Sequence, residues 1–124
     1  MPQFVKGSPS EIGGVKVSNT YEEAISLLKE GKQTYKWEYG DSMFPILCSK
    51  EYCLIEPVTS LDDIHENDAV LCVVNGFTMI HMVSKVFDVK NRGKWFLIST
   101  TQGTTFGFTN MIYGKCYSTD IFHE

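Results

Sequence analysis

None of the four cysteines, Cys48, Cys53, Cys72 and Cys116, belongs to a Cys-x-x-Cys pair, and no histidine stands at zinc-ligand spacing from them. The usual sequence basis for a structural metal is therefore missing, and neither metal nor cofactor is expected. Cys53 and Cys72 lie in apolar runs, where a thiol packs as a small hydrophobe. Reduced core cysteines in a cytosolic setting follow from that reading. Positive charge is also scarce: 11 Lys and Arg against 15 Asp and Glu leave a formal charge of −4 at pH 7, with the basic residues scattered along the chain. A nucleic-acid partner is disfavoured on that ground. No run approaches the roughly 18 to 20 apolar residues of a membrane span. "MPQFVKGSPSEIGG" at the N-terminus lacks the apolar stretch of a signal peptide. The expectation is a soluble, unexported, cytoplasmic chain without a membrane anchor.

What is present is enough for one domain. A chain of 124 residues buries about two-thirds of its unfolded surface and needs no staple. Residues 1–18 are rich in Gly, Pro, Ser and Lys without a period and are expected to form a mobile arm. In "TYEEAISLLKEG", Thr20 and Glu23 make a capping-box pattern. Tyr21, Ala24, Ile25 and Leu28 then fall on one helical face, and Gly31 supplies the stop. After Gly31 the period becomes two. "TYKWEYG", "EYCLIEPV", "DAVLCVV", "FTMIHMVSKVF", "KWFLIST" and "MIYGKCYST" read as strands, with Asn75-Gly76 as a hairpin turn and residues 100–110 as a loop. The predicted fold is mainly β: a small, partly closed β-barrel or coiled sheet with one short N-terminal helix, residues 19–124 forming a single domain.

"YGDSMFPIL", residues 39–47, is too apolar for an ordinary loop and too Pro-broken for a helix. Either it is a tight corner of the β-fold or it presents Ser42 as a nucleophile, which requires a base within reach. Of three histidines, His123 lies in the C-terminal tail and His65 in the polar turn "DDIHEND", whereas His81 stands in the apolar strand "TMIHMVSKV". The structural reading of His81 is a core histidine satisfied by a hydrogen bond; the catalytic reading is a general base.

The run "GDSMFPIL", "EYCLIEPV", "ENDAVLCVV", "MIHMVSKV", "KWFLIST" and "MIYGKCYS", from about Gly40 to Ser118, resembles the signal peptidase and LexA-like serine peptidase superfamily in its histidine version. The resemblance implies Ser42 as nucleophile, His81 as general base, and Gly40, Asp41, Met43 and Pro45 as residues that position substrate. It also implies an extended peptide or protein as substrate or partner, bound by strand addition to a sheet edge. Lysine serves as base in bacterial members; Lys85 is expected four residues beyond His81 on the same strand face, about 13 Å away at roughly 3.3 Å per residue, as a solvated residue. Histidine-type members orient the imidazole with an aspartate after the "FLIS"-like strand, where this chain has Thr101 or Gln102; Asp62, Asp63, Asp68 and Asp88 are the acids that would have to substitute. Two readings stay open. One is a peptidase acting on an extended peptide or on its own arm, where Gly13-Gly14 is a candidate cut or an ordinary flexible link. The other is an inactive member of the same fold used as a binding or structural module, phage or mobile-element encoded and virion-associated, with a homo-oligomer or larger assembly compatible with either reading.

Overall fold

The structure is a computed structural model that describes residues 9–38 and 50–121, excluding the side chains of Asp120 and Ile121. The helix, α1 (Tyr21–Lys29), starts where the Thr20 hydroxyl accepts the Glu23 N–H at 3.1 Å. Glu23 answers by accepting the Asn19 N–H at 2.9 Å, one residue earlier than in a strict capping box. At its other end Gly31 has φ +80°. Gly31 N–H donates to Leu28 O and Lys32 N–H to Leu27 O, the paired bonds of a left-handed helix stop.

The strands are β1 (Glu11–Ile12), β2 (Val15–Ser18), β3 (Thr34–Glu38), β4 (Glu51–Pro57), β5 (Ala69–Val74), β6 (Phe77–Val89), β7 (Gly93–Ser99), β8 (Thr105–Thr109) and β9 (Ile112–Ile121). Among the described residues they form one sheet in the order β1-β2-β3-β4-β9-β5-β6-β7-β8, antiparallel except for the β2–β3 pair. The fold is thus mainly β with one short helix. Asn75 and Gly76 join β5 to β6 with φ 51° and 86°, both positive, as a type I′ hairpin requires.

Three sequence expectations change. Residues 11–18, expected within a mobile arm, carry β1 and β2; β2 docks beside β3, and Ser18 is buried with its hydroxyl 2.7 Å from that of Thr34. The arm's Gly and Lys content hid a short Val-Lys-Val alternation that needs β3 as a neighbour. Residues 105–109, expected in a loop, are β8; "TFGFT" has strand chemistry on either side of Gly107. Of the expected partly closed barrel or coiled sheet, the barrel gives way to an open ladder with ends at β1 and β8. The open sheet nevertheless curls. Val73 N–H donates to Met111 O at 3.0 Å and Asn75 Nδ2 to Phe106 O at 3.2 Å, which ties the β8 end back to the β5 side.

Alternation divides the core between the two faces of the sheet. On one face Ala24 and Leu28 of α1 pack on Cys53, Ile55, Leu71, Ile80 and Cys116. On the other, Val70, Cys72, Val83, Phe96, Ile98 and Ile112 fill the inside of the curl, closed by Ile64 from the turn after β4. Each such fully buried large apolar side chain contributes about 1.5 to 3 kcal/mol. Cys53, Cys72 and Cys116 are buried free thiols. Burial pushes the Cys72 thiol up to about 12, and burial with the neighbouring Cys53 raises that of Cys116. These sulfurs therefore pack rather than react.

Candidate active site

His81 sits opposite Val70 on the β5–β6 ladder, which places it on the face of the sheet that holds Val83 and Phe96. Its imidazole stacks on Phe106 of β8, with ring centroids 4.4 Å apart at 24°. Nδ1 is buried and makes no hydrogen bond among the described residues. Burial lowers the pKa of His81 below its ordinary value near 6.5. That shift favours the neutral imidazole, the state a general base requires.

Three of the acids that would have to orient His81, Asp62, Asp68 and Asp88, stand beside lysines instead. Asp68 accepts the His65 N–H at 2.8 Å and pairs with Lys115 at 3.2 Å. Asp88 and Asp62 lie 3.1 and 3.9 Å from Lys94, and the Asp63 carbonyl accepts from Lys115. Thr101 and Gln102, where the superfamily resemblance places an aspartate, lie in a tight turn closed by Thr100, whose hydroxyl accepts the N–H of Gln102 and of Thr104. No group of three or more His, Cys, Asp or Glu arranged to hold a metal occurs among the described residues.

Lys85 departs from its expected place. The register slips at Ser84, so that Val83 pairs with Ile98 and Lys85 with Leu97. This bulge turns Lys85 to the face opposite His81, where it is exposed. A β-bulge inverts the alternation on which the sequence reading rested, and lysine as an alternative base to His81 loses its geometry.

Gly40, Asp41, Ser42, Met43 and Pro45 lie outside the described residues. The frame that carries them is described. Segment 39–49 leaves β3 at Glu38 and the chain re-enters at Lys50, whose N–H donates to Glu38 O at 2.9 Å. Glu38 and Glu51 stand directly opposite on the β3–β4 ladder. Two like charges so placed repel, and each is held by a different set of partners. Glu38 accepts from Tyr21 OH at 3.1 Å and pairs with Lys36 at 2.9 Å. Glu51, with no exposed surface, accepts from Ser118 Oγ at 2.9 Å and Thr119 N–H at 3.1 Å. Trp37 meets its cross-strand neighbour Tyr52 edge to face at 4.9 Å, so the alternating aromatics of this strand serve packing where they are described.

Sequence reasoning missed Phe106, which lay in a segment read as loop, and Glu51, whose burial no local pattern signals. Comparison with protein-family models, with curated proteins and with solved structures returns no match.

The unpartnered Nδ1 has a measurable consequence. A buried polar atom without a partner costs about 1 to 3 kcal/mol, while a phenyl ring at the same position keeps the stack on Phe106. His81→Phe is expected to raise stability by about 1 kcal/mol in urea unfolding at pH 7. The lowered pKa sets the sign of the pH dependence. As pH falls below about 6.5 the unfolded chain takes up a proton before the native imidazole does, so wild-type stability declines from that point. His81→Phe is expected to lose that part of the decline, and a parallel decline in both proteins would disprove the assignment.

Proposed function

We propose that the chain is a serine peptidase-like domain of the signal peptidase and LexA-like kind, with Ser42 as nucleophile and His81 as general base acting on an extended peptide. The observation that supports this reading is the state of His81. A histidine kept for structure has a hydrogen-bond partner, whereas among the described residues the buried Nδ1 of His81 has none, and burial lowers its pKa, which favours the neutral form a base needs. Polar groups retained at a cost to stability are characteristic of functional positions.

In this mechanism the Ser42 Oγ–H proton passes to His81 as Oγ bonds to the scissile carbonyl carbon. The C–N bond then breaks, with the proton delivered to the departing amine. Water, giving its proton to His81, releases the acyl group and restores Ser42. No acceptor for an Nδ1–H stands among the described residues, which leaves the imidazolium formed midway without a supporting charge there. Loss of that support in the worked serine triad costs about 10⁴ in turnover, so slow hydrolysis is expected.

A second reading rests on the same lack of an acid near His81 among the described residues: an inactive member of this fold acting as a binding or structural module, virion-associated and oligomeric. Covalent labelling separates the two. A serine-directed fluorophosphonate is expected to add once to the wild type and not at all to Ser42→Ala. His81→Ala is expected to label at least about 10²-fold more slowly, the usual contribution of a general base. The wild-type rate should rise with pH and level off below the ordinary histidine value near 6.5. No adduct at any pH would leave the binding-module reading standing.

A further inference from the structure

We propose that the groove between the β6–β7 hairpin and β8 binds an acidic peptide segment that carries an apolar anchor side chain. The groove has a volume of about 480 Å³ and is lined by Phe87, Val89, Arg92, Trp95 and Phe108, within the size range of pockets that take a specific ligand. It exists for two structural reasons. The bulge at Ser84 turns Phe87 and Val89 to the face of the sheet that carries α1. The helix, however, packs chiefly on β9, β3 and β4 and does not extend over the β6–β8 end. Phe108 is left 56 % exposed and Phe87 38 % exposed.

Charge selects the occupant. Residues 85–94 hold Lys85, Lys90, Arg92 and Lys94 against the single acid Asp88, in a chain whose formal charge is −4. Lys94 is taken up by Asp88 and Asp62. Lys85, Lys90 and Arg92 have no carboxylate partner among the described residues. An apolar cleft lined by Arg92, in a hairpin that also carries Lys85 and Lys90, complements a segment with an aromatic or aliphatic anchor flanked by Asp or Glu. The exposed rings favour a peptide over single-stranded nucleic acid. Phe87 and Phe108 meet edge to face, 5.6 Å apart at 64°, which forms a cleft for a side chain rather than parallel ring faces for successive bases. His81 and the groove lie on opposite faces of β6, so this binding does not depend on the Ser42–His81 reading.

The test uses the full chain and a fluorescein-labelled peptide with a central Phe flanked on both sides by Glu, followed by anisotropy. Saturable binding is expected, weakened by salt and lost when the peptide's Phe is replaced by Gly or its Glu residues by Lys. Phe108→Ser and Arg92→Glu, both surface changes checked for an unaltered melting temperature, are each expected to weaken binding at least about tenfold. Several results would overturn the proposal: no saturable binding, equal binding of the Lys-flanked peptide, or variants that bind as the wild type does. Preferential capture of oligothymidylate or of phosphatidylserine vesicles would do so too, as would wild-type dimerisation abolished by Phe108→Ser.

Discussion

Gly114→Ala is expected to destabilise the protein by about 3 kcal/mol, although it adds a single methyl group. Gly114 lies in β9, the strand that joins β4 to β5, at the point where α1 crosses the sheet. A Cβ there would press into Ile55 Cγ2, stand 2.9 Å from Leu28 Cδ1 and 3.1 Å from the carbonyl oxygen of Glu56. Two of these neighbours belong to the packed core and the third is backbone, so none has an easy retreat. The backbone of Gly114 is of ordinary strand kind, and alanine would otherwise gain about 0.4 to 1 kcal/mol by restricting the unfolded chain. The steric term exceeds that gain. Urea unfolding gives the measurement, and a double-variant cycle identifies the cause: in an Ile55→Ala background, which makes room, the cost of Gly114→Ala should fall by more than half. An additive result would place the effect elsewhere.

Glu51→Ala is expected to cost a similar amount, about 3 kcal/mol, for an electrostatic reason. The carboxylate has no exposed surface and accepts from the Ser118 hydroxyl and the Thr119 N–H. Truncation removes the acceptor that both donors share at a part-buried site, and opens a cavity where the buried carboxylate stood at the start of β4. Glu51→Gln keeps the shape and one acceptor oxygen, so it should cost about 1 kcal/mol. In thermal unfolding the alanine variant should melt about 10 °C below the wild type and the glutamine variant only a few degrees below. The order of the two variants decides the matter: equal losses would mean that the charge itself, rather than its acceptor geometry, is what the site needs. Because Lys50 and Glu51 mark the return of segment 39–49 to the sheet, the same pair of variants reports how firmly the base of the Ser42 segment is anchored.

Local physics was legible in the sequence. Thr20, Glu23 and Gly31 mark the ends of α1 because capping satisfies amide and carbonyl groups within a few residues of each other. Asn75-Gly76 marks the β5–β6 turn because only residues at ease with positive φ fit it. Period two marks β3 to β7 and β9, since one buried face is enough to reveal a strand. The candidate base was also visible, as a polar ring in an apolar strand. β1, β2 and β8 were not visible, because Val-Lys-Val and Thr-Phe-Gly-Phe-Thr become strands only when β3 and β7 offer them a ladder.

The amino-acid sequence by itself determined a mainly β chain with one capped helix, and it singled out His81. Tertiary structure alone decided that the sheet stays open yet curls, that the bulge at Ser84 sends Lys85 and Phe87 away from His81, and that Nδ1 of that histidine is buried beside Phe106 without a partner among the described residues. The reason is physical: caps, turns and alternation act within a few residues, whereas register, burial and the partner of a buried atom depend on strands that are distant in the chain and meet only in the fold.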